Sequence, residues 1–103
     1  MSERMRKLSE MLEKSPTDTF LMYGLAMEHK KAGDISQAIE CFGRVIQIDP
    51  GYCYAYHQRG LAHEAAGDLD AARQSYRQGI EAARDKGDHH AAEEIAAALS
   101  IIE

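Results

Sequence analysis

Residues 19–52 align on residues 53–86 at a constant shift of 34 positions, and this self-similarity constrains the fold more than any other feature. Six identities result: His29/His63, Ala32/Ala66, Gly33/Gly67, Asp34/Asp68, Ala38/Ala72 and Ile46/Ile80. Phe20/Tyr54, Met27/Leu61, Ile35/Leu69 and Phe42/Tyr76 are conservative pairs between them. The matches fall at turn and close-packing positions. A unit recurring at this interval builds folds in which each copy packs on its neighbours.

Gly33-Asp34 and Gly67-Asp68 each separate two segments rich in good helix formers. Glycine just past a helix end takes the left-handed conformation without a Cβ penalty. The following aspartate can accept the free N–H groups of the next first turn, and Asp34 with Gln37 reads as a capping box. Each copy is therefore expected to be helix, tight turn, helix. Asp49-Pro50-Gly51 closes the first copy, because proline cannot continue a helix. The expected helices are 2–14, 18–32, 35–48, 52–66, 69–85 and 88–102. Apolar residues recur three and four apart, as in Met22, Leu25, Ala26 and His29, then Ala38, Phe42, Val45 and Ile46. No segment alternates with period two, so strand content is expected near zero.

The 103 residues fit one domain, and 45% apolar content supports a core. No apolar run approaches the ~18 residues of a membrane-spanning helix. The opening Met1-Ser-Glu-Arg-Met-Arg-Lys lacks a secretory pattern, so a soluble cytoplasmic protein is expected. A net charge of −5 argues against nucleic-acid binding. Arg4, Arg6 and Lys7, interleaved with Glu3 and Glu10, read as a solvated helix face.

Met22-x2-Leu25-Ala26-x2-His29, Ala38-x3-Phe42 and Pro50 resemble the tetratricopeptide repeat (TPR) pattern. The second copy reads Tyr56-x2-Arg59-Gly60-x2-His63 and Ala72-x3-Tyr76, with Arg84 in place of the closing proline. Met5, Leu8, Met11, Leu12 and Pro16 match the second helix of a repeat lacking its first. Ala92, Ile95, Ala96 and Leu99 match the first helix of a repeat lacking its second, given two extra residues in the loop at 85–88. The resemblance implies an all-α solenoid of antiparallel helix pairs with six helices. Its parts are an N-terminal helix at 2–16, repeats at 19–52 and 53–86, and a capping helix at 88–103. Three repeats' worth of helices suits a complete small stack.

The same resemblance assigns groove side chains to the first helix of each pair. These are Phe20, Tyr23, Met27, Lys30 and Lys31, then Tyr54, His57, Leu61, Glu64 and Ala65, then His90, Glu93, Ala97, Ser100 and Ile101. It implies a protein–protein interaction module, an adaptor that takes a peptide or amphipathic helix in a concave apolar groove. Aromatic side chains there give large contact area at small entropic cost. The competing expectation is that these residues only pack on neighbouring helices. Some relatives hold a peptide carboxylate in a clamp, but Tyr23, Met27, Gln58, His90 and Glu94 stand at those places, and only Gln58 suits it. If charge contributes, Glu93 and Glu94 prefer a basic segment, and Lys30 and Lys31 an acidic one. The alternative role is homodimeric or larger self-assembly through Met1, Met5 and Met11 at one end and Ile101-Ile102 at the other.

No cofactor, metal or catalytic role is expected. His29 and His63 sit one repeat apart at a helix-packing position, and the adjacent His89 and His90 diverge by about 100°. His57, His90 and Glu93 are the one set that could converge across the groove. Cys41 and Cys53 are too few for a disulfide framework and read as small buried or half-buried thiols. Gly24, Gly60 and Gly79 lie inside helices as packing residues, not in a phosphate loop, and no serine has a nucleophile-elbow context.

Overall fold

The computed structural model describes residues 2–103. It contains α1 (Glu3–Lys14), α2 (Thr19–Lys31), α3 (Ile35–Ile48), α4 (Cys53–Ala65), α5 (Leu69–Lys86) and α6 (His89–Ile102). Each bound lies within one residue of its expected place, and the described residues contain no strand. Successive helices pack side by side along the chain, and α4 also touches α6. The result is an elongated stack of 37 × 29 × 18 Å.

The two corners repeat in backbone and differ in side chain. Gly33 and Gly67 take φ of 85° and 81°. Asp34 N–H donates to His29 O and Asp68 N–H to His63 O, both at 2.9 Å. Asp68 then caps α5, its carboxylate accepting from Ala71 N–H at 3.1 Å. The capping box expected at Asp34 and Gln37 does not form. The Asp34 carboxylate lies 3.8 Å from His29 Nδ1, a buried nitrogen with no hydrogen-bond partner, so it is directed at the imidazole and not at α3. Asp68→Ala is expected to cost about 1 kcal/mol in urea denaturation, and Asp34→Ala distinctly less.

Of the loop expected at 85–88, Asp85 and Lys86 are helical and Gly87 and Asp88 are not. With Arg84 where the first repeat has Pro50, nothing stops α5, which runs 18 residues against 14 in α3 and ends at Gly87. Its last turn reaches back to the preceding corner, where Lys86 Nζ donates to Gly51 O at 3.0 Å.

Two cores result. Met22, Ala26, Ala38, Phe42 and Val45 form one between α2 and α3, closed by Ala55 of α4. Ala72, Tyr76, Ile80, Ile95 and Leu99 form the other between α5 and α6, with Cys53 of α4. Small residues sit at the crossings: Ala26, Ala38 and Ala72 are fully buried, and the face of Gly60 lies against the ring of Tyr76.

At the chain ends the expected apolar surface is only partly present. Met1 lies outside the described residues, and Met5 is buried. Met11 is 51% exposed and Ile101 83%, while Ile102 is half-buried, its carbonyl accepting from Arg73 Nε at 2.8 Å. Arg4, Lys7 and Met11 stand 34 residues before Ala38, Cys41 and Val45. Those three are buried where a paired helix covers them, whereas the α1 set is exposed.

Candidate functional site: the wall formed by α2, α4 and α6

Helical spacing sets the candidate residues in parallel stripes. Phe20, Tyr23, Met27 and Lys30 follow one face of α2, Tyr54, His57, Leu61 and Glu64 one face of α4, and His90, Glu93 and Ala97 one face of α6. Phe20 is 77% exposed and Tyr54 36%. Tyr23, Met27, His57 and Leu61 are half-buried. Met27 packs on the first core and Leu61 on the second, so each presents only part of its side chain to solvent.

Aromatic contacts fix this surface from beneath. Tyr23 stacks on Tyr52 at 5.1 Å between ring centroids and meets Phe42 edge-on at 5.7 Å. His57 meets Tyr76 edge-on at 6.0 Å. Tyr52 was not among the expected site residues. Its signal in the sequence is weak: an aromatic directly after the Pro50-Gly51 corner, ahead of the next first helix.

Polar bonds tie the three helices together across the wall. Lys30 Nζ of α2 donates to Gln58 Oε1 of α4 at 2.7 Å. The Tyr54 hydroxyl donates to Glu94 Oε1 of α6 at 2.9 Å, and His90 Nε2 lies at the same distance from that oxygen. Glu64 is drawn beneath the surface, where its carboxylate accepts from the Tyr76 hydroxyl. Glu93 and Ala97 are exposed, and Glu94, not Glu93, is the acid engaged with the wall. The convergence of His57, His90 and Glu93 does not form, because His90 turns to Glu94.

Burial pushes the Lys30 ammonium below its ordinary pKa. It does the same to His57, with Glu94 and Glu64 opposing and Lys30 reinforcing. His57 thus feels a cation on the α2 side and an acid on the α6 side. The hydrogen bond to Glu94 holds the Tyr54 phenol above its usual range. Cys41 and Cys53 are free and buried, and burial raises both thiols despite nearby Arg44 and Lys86. Among the described residues, no three His, Cys, Asp or Glu side chains gather as a metal site.

Comparison with known proteins decides the family. A TPR repeat model matches residues 28–67, and a tetratricopeptide repeat model matches residues 54–86. TPR repeat-containing protein PA0015 of Pseudomonas aeruginosa is 38% identical over 88 residues, covering 85% of this chain and 84% of that protein. The chain belongs to the tetratricopeptide repeat family. A TPR domain protein from Salinibacter ruber, solved by NMR, is 35% identical with a TM-score of 0.80, over 85% of this chain and 89% of its own. PcrH, solved in complex with the chaperone binding region of PopD, shares the fold at a TM-score of 0.89 and 17% identity, over 95% and 74% of the two chains. TPR proteins are in general interaction modules without catalysis of their own, and TPR domains bind other proteins. In repeat stacks of this kind the extended binding surface is the concave one.

Proposed function

We propose that this chain is an adaptor whose concave wall takes an apolar peptide or amphipathic helix from another protein. The observation that carries this reading is the phenylalanine left 77% exposed at position 20, at the head of the helical stripes Phe20, Tyr23, Met27 and Tyr54, His57, Leu61. A side chain of that size gains most of its burial energy only when a partner covers it. The ligand engages by side-chain insertion and not by a carboxylate clamp, because Lys30 is already engaged by Gln58 and Glu94 stands on the α6 side, where it would repel a carboxylate. PcrH offers a parallel in the same fold, being solved with a bound region of another protein.

Selection from a random peptide library, followed by fluorescence anisotropy on the selected peptides, tests the proposal. Phe20→Ser and Tyr54→Ser are each expected to weaken binding by roughly tenfold or more. Phe20→Ser is expected to change the stability of the free protein by less than about 0.5 kcal/mol. Peptides bound equally well by both variants would place the interaction elsewhere. Self-assembly through the chain ends has weaker support, since Met5 is buried and the open face of α1 carries Arg4 and Lys7.

A further inference from the structure

Position 59 is where the repeat departs from its own chemistry. Leu25, one repeat earlier, and Ile95, its counterpart in α6, pack into the two cores. Arg59 occupies the same place in α4. It lies two residues beyond His57, about 200° around the helix, and so faces away from the concave wall.

A guanidinium drawn partly out of water loses hydration, and a carboxylate ordinarily compensates it. Among the described residues Arg59 has no such partner. Nε donates to Ser75 Oγ at 3.0 Å and Nη2 to Gln78 Oε1 at 2.7 Å, both neutral acceptors, and the Tyr56 ring centroid lies 5.7 Å away. Ser75 is itself buried, at the place held by Cys41 in the first repeat. Arginine carries five N–H donors, and Nη1 makes no hydrogen bond among the described residues. Arg59 lines a cavity of about 430 Å³ between α3, α4 and α5, together with Ile46, His63, Gln74, Ser75 and Gln78. That lining contains one fixed cation, a histidine and three neutral polar side chains, and no acid.

We propose that this cavity is an oxyanion site, in which a carboxylate or phosphate group accepts from the free Nη1 of Arg59 and from the second N–H of Nη2, the first being held by Gln78, with His63 and Gln74 as further donors. These two N–H groups match two oxygens of such a group. His63 supplies a built-in reporter. Burial and the Arg59 charge hold its imidazole below the ordinary pKa, and Asp68 opposes them. An anion seated on Arg59 reverses the second influence.

The test follows the histidine resonances of the full chain by NMR across pH, in inorganic phosphate, in acetate and in sodium chloride at matched ionic strength. The expected result is a His63 pKa higher by about one unit in phosphate or acetate than in chloride, with His89 and His90 unmoved. Arg59→Leu, which restores the residue type of Leu25, and Arg59→Gln are both expected to abolish the difference. A response to phosphate alone assigns a phosphate group, and a response to acetate assigns a carboxylate. A His63 pKa identical in all three salts, or a response that survives in both variants, overturns the site and leaves Arg59 as a structural bond to α5.

Discussion

Gly60→Ala is expected to lower stability by about 2–3 kcal/mol, although alanine is the better helix former by nearly 1 kcal/mol. A Cβ at position 60 would lie 2.8 Å from Tyr76 Cζ, with Cδ1 and Cε1 closer still. Tyr76 cannot yield easily. It is fully buried, its hydroxyl is bonded to Glu64, and its ring meets His57 edge-on. The methyl group therefore forces α4 and α5 apart or drives the ring off its rotamer. For a domain of this size the melting temperature should fall by roughly 10–20 °C. Gly43→Ala is the control, because nothing lies within 4 Å of a Cβ there and its backbone is helical. It should gain up to about 1 kcal/mol. Thermal melts of both variants followed by circular dichroism check the pair, and a neutral Gly60→Ala would mean that the crossing is looser than described.

The same crossing shows why so much of the fold was legible in the residues. Gly60, Ala26, Ala38 and Ala72 recur with the repeat because backbone approach recurs with it, and Gly33 and Gly67 mark corners that need a positive φ. These are local requirements, and a single residue type satisfies each. The length of α5 was legible to within one residue, although Arg84 removes the stop that Pro50 supplies after α3. Asp34 and Asp68 are identical in sequence and diverge in role, since a buried imidazole competes for only one of them. The spacing of the candidate residues along each helix was legible as a stripe, but the bonds between the stripes were not. Whether Glu93 or Glu94 meets Tyr54 depends on the rotation of α6 against α4, which no pattern within either helix fixes. Arg59 stood in the sequence at the place of Leu25 without being singled out, and its neutral partners on α5 became apparent only with the helices side by side.

Phe42→Ala is expected to cost about 3–5 kcal/mol and to do so unevenly along the stack. Phe42 is fully buried in the core between α2 and α3, and its ring supports Tyr23 edge-on. The second core, around Tyr76 and Ile95, shares no buried residue with the first. In a repeat stack each unit is stabilised by its own contacts and by those of its nearest neighbours, so a local loss is not spread evenly. Total stabilities of small domains are of order 5–15 kcal/mol, and a deficit of this size in one core brings local opening of α1 to α3 close to the native energy. Amide hydrogen exchange should show protection falling by about 10²–10³-fold in α2 and α3, with much smaller changes in α5 and α6. The unfolding transition should broaden and cease to coincide between probes placed in the two halves. Loss of the Tyr23 support also disturbs the α2 side of the proposed groove, so selected peptides should bind more weakly well below the melting temperature. A uniform fall in protection across all six helices would show instead that the two cores open as one unit.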